Sequence, residues 1–172
     1  MMTKSNLQKL KDQVEQIESG ISSNKPSLLA RGIRYLSMRD HSEIELRRKL
    51  QPHAQDEVEL CQVIEKLKSK HFLSNERFSE NFVQKKSQTF GMHRMVHELR
   101  KHELGPEIIS KQLSLLKQSE AERAYAVWSK KFGSLTNDPK TLAKQIRFMA
   151  SRGFDQEIIY KIIKGKTLDD SE

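Results

Sequence analysis

The sequence predicts an all-α fold: tandem three-helix repeats, three units forming an elongated curved body, with an extra N-terminal helix in front. Three observations carry this reading. Glycine and proline number seven and four in 172 residues, and apolar residues recur at spacings of three and four instead of alternating, which is the helical period. Segments about fifty residues apart resemble each other. Only 35% of residues are hydrophobic and 31% are charged, so any core is thin, and a row of units sharing buried faces suits that composition better than a ball.

The first element differs from the rest. Leu7, Leu10, Val14, Ile17 and Ile21 fall on an a/d heptad register in a polar stretch. Two heptads are too short for a stable isolated coiled coil. Residues 1–25 therefore read as a helix docking on its own domain, in preference to a dimerisation helix. Ser22-Ser23-Asn24-Lys25-Pro26 breaks the chain after it.

Repeat 1 is expected over 27–73, with helices at 27–38, 42–51 and 56–70. Leu29, Ile33 and Leu36 mark the buried edge of the first, and Leu60, Ile64 and Leu67 that of the third. The single cysteine, Cys61, lies in that last pattern, forms no internal disulfide and reads as a small core residue of a reducing cytoplasm. Repeat 2 is expected over 74–118, with helices at 75–89, 92–102 and 106–117. Ser74 is its cap, Leu73 staples Phe78 across that cap, and Phe82 continues the apolar edge. Pro106 stands in the first turn of the third helix, where a missing N–H costs nothing.

Repeat 3 is expected over 119–166, with helices at 119–132, 139–152 and 155–164, followed by an acidic tail at 167–172. Its apolar sets are Ala121, Ala124, Tyr125, Trp128 and Phe132, then Leu142, Ile146 and Met149. Asp138-Pro139 reads as a cap followed by a first-position proline. Leu104-Gly105-Pro106-Glu107-Ile108-Ile109-Ser110-Lys111 recurs as Phe154-Asp155-Gln156-Glu157-Ile158-Ile159-Tyr160-Lys161, with Phe154 placed to staple Ile159 across Asp155.

The net charge is +8 with a pI near 9.6, which calls for a polyanionic or acidic-surfaced partner. The excess is spread along the body: nine cations against seven anions in 26–73, eight against five in 74–118, ten against eight in 119–172. Two helices carry cationic stripes opposite their apolar faces. Lys140, Lys144 and Arg147 oppose Leu142, Ile146 and Met149; Arg94, His97 and Lys101 oppose Met95 and Leu99. Arg94 and His97 align with Lys144 and Arg147 in successive repeats, so the stripes read as one cationic face suited to phosphate backbones or an acidic groove. Aromatic residues are few and placed as core, which gives base stacking little support.

The catalytic and metal signals fail. His93-x-x-x-His97 puts two imidazoles on one face, but Arg94 follows where a zinc protease has glutamate, and no third ligand joins them. Gly165-Lys166-Thr167 resembles the end of a phosphate loop, yet Tyr160 replaces its first glycine and a helix precedes it in place of a strand. No nucleophile–base–acid set or carboxylate pair can be isolated. The chain reads as a non-enzyme with neither metal nor cofactor. No apolar run approaches eighteen residues and the polar N-terminus is no secretory signal, so a cytoplasmic protein is expected.

The densest string is Arg39-Asp40-His41-Ser42-Glu43-Ile44-Glu45-Leu46-Arg47-Arg48-Lys49-Leu50. Ser42 and Glu45 form a capping box, Leu46 and Leu50 give a buried edge, and Arg47, Arg48 and Lys49 crowd the remaining surface. This string resembles the first-repeat signature of the RecX family, regulators of the RecA recombinase. The resemblance runs from about Leu28 to Gly165. It includes Phe72-Leu73-Ser74-Asn75-Glu76-Arg77-Phe78 with Phe82-Val83, Gly91 leading into Glu98-Leu99, Ile146-Arg147-Phe148, and Arg152-Gly153-Phe154. Gly32 departs from it, standing where such proteins usually place alanine.

The resemblance implies a modulator, mainly an inhibitor, that binds the groove of the RecA–DNA nucleoprotein filament and limits filament extension, ATPase, strand exchange and coprotease activity. Candidate contacts are Arg39, Arg47, Arg48, Lys49, Arg94, Lys101, Lys140, Lys144 and Arg147. The protein is expected to be a monomer with, at most, weak direct DNA binding; a dimer through residues 1–25 is the other arrangement. Two different readings stand beside this one. One is a helical protein binding naked DNA through its basic face, with Ser42–Leu50 as recognition helix; the other is a homodimeric scaffold built on the N-terminal heptads.

Overall fold

A computed structural model describes residues 26–165; the expected heptad helix at 1–25 and the acidic tail at 167–172 lie outside the described residues. Between them the chain is helical, without strands. The helices are α1 (Leu28–Met38), α2 (Glu43–Leu50), α3 (Glu57–Ser69), α4 (Asn75–Lys86), α5 (Met92–Arg100), α6 (Pro106–Lys117), α7 (Glu120–Lys131), α8 (Pro139–Ser151) and α9 (Gln156–Ile163). They follow the three-by-three order read from the sequence. The chain divides into two compact units, one ending at Asn81 and the other beginning at Phe82, so the boundary falls inside α4.

The helix starts are local chemistry. Ser42 Oγ accepts from the Glu45 N–H at 3.3 Å, Asp56 Oδ1 from the Glu59 N–H at 2.8 Å, and Ser74 Oγ from the Arg77 N–H at 3.2 Å. Asp138 Oδ2 takes both the N–H and the hydroxyl of Thr141, at 2.9 and 2.6 Å. Each satisfies a first-turn donor that has no partner within its helix. The Thr141 hydroxyl, and then its N–H, hold the Asp138 carboxyl below its ordinary value. The residues of both expected staples are buried: Leu73 and Phe78, and Phe154 and Ile159.

In the first unit Leu28, Ile33, Leu36, Leu46, Leu50, Leu60, Ile64, Leu67 and Leu73 make one core. Leu46, Leu50, Ile64 and Leu67 are wholly enclosed, each contributing roughly 1.5–3 kcal/mol of apolar burial. Gly32 belongs to this packing. A Cβ there would lie 2.8 Å from Leu67 Cδ1, so the glycine lets α1 settle onto α3. In the second unit Ala124, Trp128, Met149, Phe154, Ile159, Ile162 and Ile163 form the core around α7, α8 and α9. Inside it the Trp128 indole N–H donates to the buried Gln145 Oε1 at 2.9 Å.

Four expectations are corrected. Cys61 is half-buried at the rim of α3, where its Sγ lies 3.5 Å from Arg47 Nη1 and donates to Glu57. Tyr125 is half exposed, because the buried edge of α7 runs through Ala124 and Trp128. Helix α4 stops at Lys86 instead of 89, since the Ser87 and Phe90 carbonyls serve a side chain from α7. Aromatic placement differs too: Phe90 is half-buried and carries cations on its ring.

Candidate functional site, a basic face held by repeat junctions

The first helix of a repeat fastens the one before it, and the device occurs twice. In the first unit the Asn75 Oδ1 accepts from the Glu43 N–H at 2.9 Å, at the start of α2. Half a turn on, Arg77 binds Asp40 Oδ1 at 2.7 Å and the His71 and Phe72 carbonyls beyond α3 at 3.2 and 2.7 Å. Asn81 holds the other Asp40 oxygen at 2.7 Å.

In the second unit Glu120 Oε1 accepts from the Met92 N–H at 2.9 Å, at the start of α5. Arg123 then donates to the Ser87 and Phe90 carbonyls, both at 2.9 Å, to Leu116 O at 3.0 Å and to Ser119 Oγ at 3.2 Å. Burial lowers the pKa of Arg123, with Glu120 opposing the shift. An arginine suits this place because its planar fork serves several helix-end carbonyls at once.

Asn75, Arg77 and Asp40 stand in strings that resemble the RecX family without a role assigned to them, and Glu120 and Arg123 were not expected to act. The available signal was Glu76-Arg77-Phe78 recurring as Glu122-Arg123-Ala124, a glutamate–arginine dipeptide ahead of a buried apolar residue.

A second contact joins α5 to the α8–α9 turn. The Gly91 N–H donates to Arg152 O at 2.9 Å and the His93 N–H to Gly153 O at 3.0 Å. Gly153 adopts φ +78°, the left-handed region open to glycine. The Arg94 guanidinium crosses the same seam and donates to Ser151 O at 3.1 Å. Ser151 follows Lys144 and Arg147 along one face of α8. The two predicted stripes, on α5 and α8, therefore meet at Arg94.

Of the predicted residues, Lys140, Lys144 and Arg147 are exposed on α8, as are Arg94 and Lys101 on α5. Lys101 pairs with Glu98 at 3.1 Å. The first-unit residues are more committed. Arg39 pairs with Glu45 at 2.9 Å, and Arg47, half-buried, with Glu43 at 3.2 Å and Glu57 at 3.3 Å. Lys49 Nζ lies 5.0 Å from the centre of the Tyr35 ring, and Arg48 is exposed. Leu46 and Leu50 are buried and Arg47 is paired, so the exposed basic residues of α2 are Arg48 and Lys49.

Two histidines have local roles. His41 is buried, its Nδ1 3.0 Å from Arg39 O, and burial lowers its pKa, with that hydrogen bond opposing. His93 is exposed and lies 3.9 Å from Asp155. Among the described residues no group of three His, Cys, Asp or Glu side chains is placed to hold a metal ion, and no helix is long and apolar enough to cross a membrane.

Helices fastened to their neighbours within each unit, with exposed cations along α5 and α8 of the second, define an all-helical repeat protein. Residues 29–67 match the first three-helix domain of RecX and residues 118–163 the third. The chain is 42% identical over 148 residues to the regulatory protein RecX of Ralstonia nicotianae, spanning 85% of this chain and 93% of that one. It is 36% identical to the regulatory protein RecX of Neisseria meningitidis serogroup B, over 80% and 90%. The chain belongs to the RecX family. Two crystal structures share the fold at 19% identity. One is a regulatory protein RecX (TM-score 0.68, covering 96% of this chain and 80% of that one) and the other RecX from Lactobacillus salivarius (0.67, 81% and 94%).

Proposed function

We propose that this protein regulates the RecA recombinase by binding the RecA–DNA filament, without catalysing a reaction. The single observation that carries the reading is the joining of the α5 and α8 cationic stripes at the Arg94–Ser151 hydrogen bond, in a chain of the RecX family. The contact face comprises Arg94, Lys101, Lys140, Lys144 and Arg147 in the second unit. Arg48 and Lys49 add exposed cations from the first unit, while Arg39 and Arg47 contribute from within their ion pairs.

Seated in the filament groove, such a body resists the rearrangements that accompany subunit addition and ATP turnover. Filament extension, ATPase, strand exchange and coprotease activity then fall together. The test is hydrolysis of ATP by RecA on single-stranded DNA, titrated with this protein. Inhibition at ratios well below one protein per RecA subunit is expected, and no effect near equimolar ratios overturns the reading.

A further inference from the structure

Four of the ten described lysine and arginine residues of the first unit are compensated. Arg39, Arg47, Lys68 and Arg77 all pair with carboxylates there. A different arrangement occupies the α5–α8 seam. Arg94 Cζ lies 4.3 Å from the centre of the Phe90 ring, and Lys86 Nζ lies 5.6 Å from the same centre. Arg152, one residue past the Ser151 carbonyl that holds Arg94, has its Cζ 5.1 Å from the centre of the Phe148 ring. Among the described residues none of these three cations pairs with a carboxylate. The nearby Asp155 accepts from the Glu157 N–H and faces His93.

We infer that Lys86, Arg94 and Arg152, seated on Phe90 and Phe148, form a binding site for the phosphate backbone of DNA. The inference rests on the filament-binding reading and names the partner of this part of the face. The Phe90 ring and the Ser151 carbonyl hold the guanidinium of Arg94 in place before any ligand arrives. Its remaining N–H groups form the planar donor edge that phosphate oxygens accept.

Composition favours nucleic acid over an acidic protein. Protein interfaces are centred on apolar side chains, whereas interfaces with DNA are polar and strongly positive. Among the described residues the large exposed apolar side chains are Met38, Val58, Leu115, Tyr125, Leu135 and Tyr160, and none belongs to α5 or α8. The row Lys140, Lys144 and Arg147 extends the cationic surface along α8 toward Ser151, as a linear polyanion requires.

The test is binding of the full-length protein to a fluorescent thirty-nucleotide single strand over a range of salt concentrations. Lys86→Gln/Arg94→Gln/Arg152→Gln is compared with wild type, and circular dichroism checks its fold. Each phosphate contact contributes about 0.7 to the slope of log K against log salt for single strands. Loss of all three lowers the slope by about 2 and weakens binding at least tenfold at low salt. Lys86→Gln alone, which leaves every carbonyl hydrogen bond intact, lowers the slope by about 0.7 and serves if the triple variant unfolds.

An unchanged slope overturns the inference, and so does a wild-type protein that fails to bind the strand at low salt. Unchanged DNA binding with lost inhibition of RecA ATPase assigns the cluster to a protein surface, overturning the inference while supporting the filament reading. A wild type that binds DNA through these residues but leaves RecA ATPase untouched supports the site and removes the filament reading.

Discussion

Gly91 and Gly153 meet backbone to backbone: a Cβ on Gly91 would lie 2.4 Å from the Gly153 carbonyl oxygen and 2.4 Å from Phe154 N. The contact brings the start of α5 against the α8–α9 turn and sets Arg94 beside Ser151. Backbone cannot withdraw as a flexible side chain can, so a methyl group here separates the two segments.

Gly91→Ala is therefore expected to destabilise the protein by about 1–3 kcal/mol, in the range of overpacking, and to weaken inhibition of RecA as well. Gly105→Ala is the control, because a Cβ there meets nothing within 4 Å, and its cost stays below about 1 kcal/mol. Urea denaturation of both variants, followed by circular dichroism, checks the difference.

Arg123→Met removes the donors of three carbonyls, those of Ser87, Phe90 and Leu116. A loss of about 2–4 kcal/mol is expected from unsatisfied polar groups, discounted for partial solvent access. Arg123→Lys recovers only part of it, since one ammonium cannot span the three acceptors. Denaturant midpoints for the three proteins rank wild type, lysine, methionine.

Arg77 and Asp40 are coupled at 2.7 Å with little exposure of the carboxylate. A double-mutant cycle on Arg77→Ala and Asp40→Ala is expected to return a coupling of about 1–3 kcal/mol. A coupling near zero would show the junction to be decorative.

His41 makes stability depend on pH. Its folded-state pKa lies below the ordinary value of 6.5, so below that pH the unfolded chain binds a proton that the folded chain resists. Stability is whole above 6.5 and declines as pH falls from there through the lower folded value. His41→Gln is expected to flatten this limb below pH 6.5, as read from urea midpoints at half-unit steps.

Much of the architecture was legible because it is local. A cap, a first-position proline and a three–four apolar register each act within one or two helical turns, so Ser42, Ser74, Pro106 and Asp138 located their helices closely. The α5 and α8 stripes were legible for the same reason. The joints were not. Asn75 meets Glu43, Glu120 meets Met92 and Arg123 meets Ser87 across 28 to 36 positions, distances over which periodicity carries no information. Charge also misled at Arg47, which looks free in a basic string and is held by two glutamates. Phe90 was hidden for the opposite reason: a lone aromatic between helices reads as core until its ring is found carrying Arg94.

The central claim is that the joined α5–α8 face delivers the regulation of RecA. It is tested most directly by Arg94→Glu/Lys101→Glu/Lys144→Glu/Arg147→Glu in the titration of RecA ATP hydrolysis on single-stranded DNA, with circular dichroism and a thermal melt alongside. The account predicts a folded protein whose half-inhibiting concentration rises at least a hundredfold, about 2.7 kcal/mol of lost binding. A folded variant that inhibits as well as wild type would contradict it.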